Sequence, residues 1–346
     1  MVKNIQAMSE GYKMSGIKRY LMRKSLIYAL TFVFAVTIDF IIPRLMPGDP
    51  IGVLLSRFAT LPDVANYLHG YFIEAFGLNK PLWQQYLSFW NAVLHGDLGI
   101  SIYYYPKPVA QIIREALPYD LALLLPSIIS SWVVGNWLGA YAGKSKRFDS
   151  YLMPIFYFLQ ASPYFWFAII LAYVFTVKLG LFPISGAYGY GVIPSFSWTF
   201  IKDYLHHWIL PFLSLFFVQL GGWAIGMRNM IIYEVEADYV RYLESLGASE
   251  RLLMKHAFKN AMLPQITGLA LQLGLIVAGN VTVQVVFSYP GIGYILMQGI
   301  MNQDYFLIQG CFLVIILTVL IANFTIDLLY AFIDPRIRYS YTEEGA

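Results

Sequence analysis

The chain has 346 residues, of which 58% are hydrophobic and 12% are charged, and its mean hydropathy is +0.59. So much apolar surface excludes a soluble globular protein and indicates a polytopic membrane protein. The net charge of +3 requires no anionic partner beyond lipid headgroups. The single cysteine, Cys311, excludes an intrachain disulfide and a thiolate metal cluster.

The amino-terminal region predicts a cytoplasmic tail followed by an uncleaved transmembrane helix. Residues 1–24 are polar and basic, like the start of a signal sequence. The apolar run Leu26–Met46 is about 20 residues long, which is enough to cross a hydrocarbon core of ~30 Å. Because it lacks a small-x-small cleavage site and ends in Met-Pro-Gly-Asp-Pro, we expect it to remain as the first span, over residues 25–46.

Residues 47–120 are too many for a simple connection, and we expect them to fold as an extracytoplasmic segment. Within this segment, Pro81 follows a polar cap and predicts the start of a helix. An aromatic and apolar stripe then recurs at helical spacing, which is typical of a helix at the membrane interface or against the top of a helix bundle. The stripe consists of Trp83, Tyr86, Leu87 and Trp90.

Five further uncharged runs of spanning length complete a prediction of six transmembrane helices, the last run being broken only by Asp327. Residues 121–333 would hold spans two to six, and residues 334–346 would form a cytoplasmic tail. The predicted fold class is therefore an all-α polytopic membrane protein. The five runs are Leu121–Gly143, Tyr151–Val177, His207–Met227, Gln265–Ser288 and Tyr305–Ile333.

Basic residues in the short loops predict the orientation of the spans. Residues 143–150 carry three Lys or Arg residues and residues 228–262 carry five, whereas residues 289–304 carry none. By the positive-inside rule, both termini are cytoplasmic. The loop between spans four and five, residues 229–263, is then cytoplasmic as well.

The sequence offers no motif for catalysis. A GxxxxGK[ST] phosphate loop, an HExxH pair and a paired Cys/His spacing are all missing, so we predict a chain that is not an enzyme and holds no metal or cofactor of its own. Acidic residues inside the predicted spans are Asp39, toward the outer end of the first, and Asp327, toward the inner end of the last. Their different depths exclude a shared dyad. We interpret Asp327 as a paired residue near the inner headgroups and Asp39 as a candidate cavity residue.

The longest charged stretch between spans, Glu234–Pro264, predicts a helical hairpin. A helix over about Tyr233–Leu246 would end at Gly247, since glycine can adopt the left-handed conformation that closes a helix. Ser249 would then cap a second helix over Glu250–Met262. The alternative, on composition alone, is an ordinary solvated cytoplasmic loop.

The same stretch resembles the cytoplasmic coupling loop of ABC importer permeases of the dipeptide/oligopeptide-type class. In that loop a glycine is followed 17 residues later by a proline, which is the spacing of Gly247 and Pro264. The resemblance covers nearly the whole chain and rests on the order of several motifs. These are Met46–Pro50, Lys80–Tyr86, Gly96–Ser101, Ser162–Trp166, Val286–Gly293, Asp327–Ala331 and Asp334–Arg338.

Two positions depart from the family pattern. The family commonly carries a small, basic Ala-Arg-Ala-Lys run before the glycine, and this chain has Leu243-Glu244-Ser245-Leu246 there. That difference changes the charge and bulk of the docking helix. The family often has a glutamate before the Val-Phe pair of the fifth span, and Gln284 takes its place.

The resemblance implies a permease subunit of an ATP-driven, binding-protein-dependent importer in the plasma membrane of a prokaryote. In this family's scheme, the hairpin docks on an ATPase subunit, and closure of two such subunits around ATP switches the cavity between inward-open and outward-open. The implied partners are a second permease chain, two ATPase chains that hold ATP and Mg, an extracytoplasmic binding protein and the lipid bilayer, with no nucleic acid. The residues implied in ATPase coupling are Glu236, Asp238, Tyr239, Arg241, Glu244, Gly247, Ala248, Ser249 and Arg251.

Polar residues within the spans are candidates for the translocation pathway or, alternatively, for interhelical hydrogen bonds. Neutral amides and aromatic rings suit a peptide backbone and a sugar equally, so peptides, oligosaccharides and nickel chelates stay open as substrates. The other function considered, a stand-alone ion-coupled carrier or membrane enzyme, is disfavoured because paired intramembrane charges and a catalytic constellation are missing. The candidate pathway residues are Asp39, Gln160, Gln219, Gln272, Asn280 and Gln284.

Overall fold

The computed structural model describes residues 2–56, 62–274 and 281–333, and within these ranges the fold is all-helical, as predicted. A π-helical segment, Ala172–Lys178, continues α7. The helices are α1 Val2–Leu45, α2 Pro50–Leu55, α3 Pro62–Ala75, α4 Leu82–Leu94, α5 Val109–Lys144, α6 Lys146–Ala161, α7 Tyr164–Leu171, α8 Trp198–Val235, α9 Asp238–Ser245, α10 Glu250–Gly274, α11 Val281–Val286, α12 Ile292–Met301 and α13 Tyr305–Ile333.

Several helices of the described chain are long and apolar enough to cross a membrane, which confirms a polytopic membrane protein. A further candidate is the pair α6 and α7 with its π-helical extension, which is bent by 101°. The predicted fifth span includes residues 275–280, and these lie outside the described residues, as does the predicted tail 334–346. The four single-helix candidates are Tyr20–Leu45, Val109–Lys144, Trp198–Val235 and Tyr305–Leu328.

The predicted third span, Tyr151–Val177, is not one continuous helix. It breaks between α6 and α7 at Ser162 and Pro163, where Ser162 has φ −77° and ψ 126°. Proline lacks a backbone N–H and drives the preceding residue to an extended conformation, so the helix ends there. Other prolines are accommodated inside continuous helices, namely Pro118, Pro126, Pro154 and Pro211.

The first of two compact units comprises the described residues within 1–113 and 298–346. In this unit α1 packs against α13. The side chains of Lys24 and Tyr28 in α1 each donate a hydrogen bond of 2.8 Å to the carboxylate of Asp327 in α13. Asp327 is therefore a paired residue, as its sequence position predicted.

The segment after the first span folds into helices α2 to α4 of this unit. α4 begins directly after Pro81, as predicted. The ring of Tyr86 packs edge-on against Phe40, and that of Trp90 packs edge-on against Phe32, so this side of α4 lies along α1. The adjoining part of the same stripe is exposed and carries Trp83, Leu87 and Leu94.

A buried aspartate joins this segment to the start of α13. Asp304 is fully buried, and its carboxylate accepts hydrogen bonds from the Ser101 hydroxyl and from the backbone N–H groups of Tyr103 at 2.9 Å and Leu307 at 3.0 Å. Burial raises the pKa of Asp304, while the hydrogen bonds oppose that rise. The network holds the turn at residues 101–104 against α13.

The second unit, residues 114–297, is built around α8. Helices α6, α7 and α10 pack against α8. At Gly221 the approach of α6 is so close that an added Cβ would lie 2.6 Å from the carbonyl oxygen of Phe156, so only glycine fits. The α6–α8 contact is filled by Met153, Phe156, Leu159, Leu220, Ala224 and Ile225.

Candidate functional site

The charged loop of the second unit folds as a hairpin whose tip is α9. α8 ends at Val235, α9 covers Asp238–Ser245 and α10 begins at Glu250. The prediction of a single helix over Tyr233–Leu246 is therefore wrong. The chain is extended at Ala237, with φ −69° and ψ 148°, which separates α9 from α8.

Interactions of the residues that flank Ala237 accompany this break. After it, Val240 turns toward the protein and is only 4% exposed. Asp238 lies in the first turn of α9, where an acidic side chain interacts favourably with the helix dipole. The Tyr239 hydroxyl donates a 2.7 Å hydrogen bond to the carboxylate of Glu234, and burial together with this bond raises the pKa of Tyr239. Tyr239 thus stabilises the turn from α8 into α9.

Gly247 follows the C-cap residue Leu246 and closes α9, as predicted. Gly247 has φ +80°, and its N–H donates to the carbonyl of Glu244 at 2.9 Å. The N–H of Ala248 donates to the carbonyl of Leu243 at 3.1 Å, which completes a Schellman motif. Within the described chain, an added Cβ at Gly247 meets no heavy atom within 4 Å. The backbone conformation, and not a lack of space, requires glycine here.

α10 extends far beyond the end predicted at Met262. It covers Glu250–Gly274 and contains Pro264 in its interior. Ser249 precedes it, as predicted, and the Ser249 carbonyl accepts a hydrogen bond from the N–H of Leu252 at 2.8 Å. At 1.5 Å per residue, α10 is a rod of ~37 Å. The hairpin and the beginning of the next predicted span therefore share one helix.

Buried contacts fix the base of the hairpin to the second unit. Ala261 of α10 packs with Met227 and Ile231 of α8, and all three are at most 1% exposed. This packing stabilises α10 around its proline, as neighbouring helices do in membrane bundles. Arg228 of α8 also forms a bidentate ion pair with Asp149 of α6, with distances of 2.8 and 2.6 Å.

The tip of the hairpin exposes two large apolar side chains among its charges. Tyr242 is 65% exposed and Leu246 is 66% exposed, and their four-residue spacing places them on one side of α9 and its cap. Sequence reasoning missed both, although this spacing within a charged stretch was available as a signal. Of the residues implied in coupling, Tyr239 and Ala248 are partly buried, and the exposed ones are Glu236, Asp238, Arg241, Glu244, Gly247, Ser249 and Arg251.

Three predicted pathway glutamines meet at one cavity of the second unit. Gln160 of α6, Gln219 of α8 and Gln272 of α10 line a cavity of ≈ 560 Å³ beside the break between α6 and α7. We call this the glutamine cavity. Its remaining lining consists of Ala161, Ser162, Pro163, Tyr164, Val218, Gly222 and Trp223.

Gln284 lies elsewhere in the second unit and is 1% exposed. Its amide nitrogen donates to the carboxylate of Asp120, and its carbonyl oxygen accepts from the N–H of Tyr294 at 3.1 Å. Asp120 is 1% exposed and also accepts from the N–H of Ile292 at 2.9 Å. Sequence reasoning placed Asp120 in the extracytoplasmic segment and missed this contact, because α5 begins well before the apolar run from Leu121.

Asp39 lies in α1 of the first unit and is 2% exposed. Neither of its carboxylate oxygens has a hydrogen-bond partner among the described residues. Arg44, the nearest basic residue in sequence, donates instead to the carbonyl of Phe40 at 2.8 Å and to the side chain of Gln85 at 3.1 Å. Asn280 lies outside the described residues. The pathway roles of Asp39, Asn280 and Gln284 stay predictions.

The chain is similar to one protein family and to several individual transport proteins. Residues 135–339 match the family described as binding-protein-dependent transport system inner membrane component. The chain is 31% identical over 325 residues to an oligopeptide transport system permease protein of Bacillus subtilis, covering 92% of this chain and 99% of that protein. It is 31% identical to a di/tripeptide transport system permease protein of Pseudomonas aeruginosa, over 89% of this chain and 95% of the relative. It is 29% identical to a dipeptide transport system permease protein of Escherichia coli, over 93% of this chain and 99% of the relative.

Proposed function

Since the chain belongs to the family of binding-protein-dependent transport system inner membrane components, we propose that it is a permease subunit of an ATP-driven ABC importer of peptides. Three relatives over nearly the whole chain are named as peptide transport permeases, which supports peptides over the oligosaccharides that the sequence left open. The subunit would be non-catalytic, with ATP and Mg held by separate ATPase chains. It would form half of the pathway, beside a second permease chain.

The proposed topology has six spans with both termini in the cytoplasm. Four long apolar helices and the bent α6–α7 pair support five of them, and Gln265–Ser288 would supply the other. The basic loops support a cytoplasmic location of the hairpin. Residues 47–120 would face outward and receive the substrate-loaded binding protein.

The exposed hairpin tip is the observation that carries this proposal. α9 presents Tyr242 and Leu246 to solvent, and the charged side chains of Arg241 and Glu244 are exposed beside them. Aromatic and aliphatic side chains with a charged surround are typical anchors for a groove on a partner protein. The Schellman turn at Gly247 holds this surface in one conformation. We infer that its partner is the ATPase subunit.

The helices that flank the hairpin provide a rigid connection to the interior of the second unit. α8 and α10 are continuous where they leave the hairpin, and the contact of Ala261 with Met227 joins them at its base. Gln219 lies on α8 and Gln272 lies on α10 at the glutamine cavity. Displacement of a docked hairpin would therefore change the arrangement of the two helices at the cavity, as alternating access requires.

Purification from native membranes tests the proposed function. A tagged chain is expected to co-purify with a second permease chain and two ATPase chains. In proteoliposomes, the complex is expected to accumulate a peptide only when ATP and the binding protein are both present. A permease that bound no ATPase chain under any nucleotide condition would overturn the proposal. Uptake of an oligosaccharide without uptake of any peptide would overturn the substrate class.

A further inference from the structure

We propose that Gln219 and Gln272 form a recognition site for the backbone of the transported peptide in the glutamine cavity. The proposal rests on the transport function above and names the chemical group that the second unit would contact. Three elements of the structure carry it: the orientation of the two amides, the character of the cavity wall, and the place of each glutamine in the fold.

The two side-chain amides bind each other and leave the amide nitrogen of Gln219 and the amide oxygen of Gln272 free for a ligand. The Oε1 atom of Gln219 accepts a hydrogen bond from Nε2 of Gln272 at 3.0 Å and lies 3.2 Å from the hydroxyl of Ser131. In the part of the chain that the structure describes, Nε2 of Gln219 and Oε1 of Gln272 form no hydrogen bond. A primary amide has two N–H donors and an oxygen acceptor, so both atoms have free capacity.

A peptide group offers the complementary pair. Its carbonyl oxygen would accept from Nε2 of Gln219, and its N–H would donate to Oε1 of Gln272. Because these backbone groups recur at every non-proline residue, such a contact does not depend on the sequence of the peptide. A permease that passes peptides of varied sequence needs recognition of this kind.

The uncharged lining of the cavity suits a neutral peptide backbone as the recognised group. The described residues that line the cavity include no charged side chain, so neither a peptide terminus nor a charged metal chelate would find a counter-ion there. Val218, Tyr164 and Trp223 supply apolar and aromatic surface for peptide side chains. At ≈ 560 Å³, the volume lies within the range of about 300–1,000 Å³ that is usual for small-ligand sites.

The position of Gln219 indicates a built site. Gln219 is only 7% exposed, and its partners come from two other helices, Ser131 on α5 and Gln272 on α10. The opening extends over Gly222, where the atom nearest to an added Cβ is Nε2 of Gln160, at 3.9 Å. The polar end of Gln160 thus lies at the same opening, one helix away.

Uptake of a backbone-methylated peptide tests the site. The intact complex in proteoliposomes, with its binding protein and ATP, is given a tripeptide or the same tripeptide N-methylated at both of its peptide bonds. Methylation removes the N–H that Gln272 would bind. We expect Gln272→Leu to lower uptake of the unmethylated peptide by about 10-fold, the effect of one lost hydrogen bond, and to reduce the preference over the methylated peptide by a similar factor. Gln219→Leu is expected to lower uptake of both peptides.

Gln265→Leu is the matched control. It removes the same functional group from the same helix, but Gln265 does not line the cavity. Because the binding protein is identical in every assay, a change in the ratio of the two uptake rates belongs to the permease. A wild-type ratio in the Gln272→Leu complex, or wild-type uptake of both peptides by the Gln219→Leu complex, would overturn the site. ATP-dependent uptake of the unmethylated peptide by the wild-type complex would in that case still support the proposed function.

A photoreactive peptide gives a second test that needs no substitution. A diazirine-bearing tripeptide supplied to the energised wild-type complex is expected to label Tyr164 or Trp223, which line the cavity. Labelling confined to other parts of this chain would overturn the proposal even if a leucine variant failed to assemble. Absence of ATP-dependent peptide uptake by the wild-type complex would instead overturn the transport function on which the site depends.

Discussion

The carboxylate of Asp120 accepts a hydrogen bond from the side-chain amide of Gln284, 164 positions away in the chain. Together these residues bind the backbone at the start of α12, through the N–H groups of Ile292 at 2.9 Å and Tyr294 at 3.1 Å. An added Cβ at Gly291 would collide with both side chains. Asp120 and Gln284 therefore position this turn from inside the second unit.

We expect Gln284→Glu to destabilise the protein, because it brings a second carboxylate against the buried carboxylate of Asp120. The loss should be about 3–5 kcal/mol, the usual cost of an uncompensated buried charge. The double variant Asp120→Asn/Gln284→Glu should recover most of the stability, since it restores one amide and one carboxylate. Thermal unfolding of the purified complex measures both effects. Equal unfolding temperatures for the single and double variants would contradict the contact.

This contact also shows what the sequence could not reveal. Gln284 was predicted as a pathway residue, and Asp120 was placed outside the spans. The composition of a span indicates that a polar side chain either is buried between helices or lines a pore. Which of the two applies depends on the helix that faces it. Gln219 and Gln272, with the same chemistry, line a cavity. The difference comes from tertiary packing.

Gly247→Val should uncouple transport from ATP hydrolysis while leaving membrane insertion intact. Valine at φ +80° is strained by about 1–2 kcal/mol, so the Schellman turn would open and α9 would lose its orientation. Gly247→Asn is the control, because asparagine tolerates this conformation. ATP-dependent peptide uptake and ATPase rate, measured together, separate the two variants. Wild-type coupling in Gly247→Val would refute a role for the turn.

The ion pair between Lys24 and Asp327 should stabilise the first unit. The two side chains are 30% and 23% exposed and 2.8 Å apart. Lys24→Met removes the cation and leaves the carboxylate with Tyr28, at an expected cost of about 1–3 kcal/mol. Lys24→Met/Asp327→Asn should be closer to wild type in thermal unfolding. If both variants unfolded at the wild-type temperature, the pair would contribute nothing.

Asp304 should make the first unit less stable as the pH rises. Burial raises the pKa of Asp304 in the folded protein above that of the unfolded chain, so the folded state binds the proton more tightly. Stability is then greatest below the ordinary aspartate pKa of about 3.9 and falls as the pH rises through the raised value. Asp304→Asn should flatten this part of the profile. Unfolding temperatures of the two proteins across mildly acidic pH provide the test, and parallel profiles would contradict it.

The sequence predicted that the hairpin exists but did not predict all of its helix boundaries. Its existence and the closure of α9 by Gly247 follow from local rules, since glycine is the residue that most commonly adopts a positive φ at a helix end. The break at Ala237 depends on the burial of Val240, and the continuity of α10 through Pro264 depends on packing around Ala261. Those contacts are formed with other helices, so the local sequence does not determine them.

We propose that an ATPase acts on this chain through the tip of the α9 hairpin. A photoreactive amino acid at Leu246 tests it most directly, with Leu87 on the exposed side of α4 as the control position. In the intact complex, position 246 should form a covalent adduct with an ATP-binding subunit, and position 87 should not. If position 246 formed no adduct with an ATP-binding subunit, in the presence or absence of nucleotide, the hairpin tip would not be the ATPase contact.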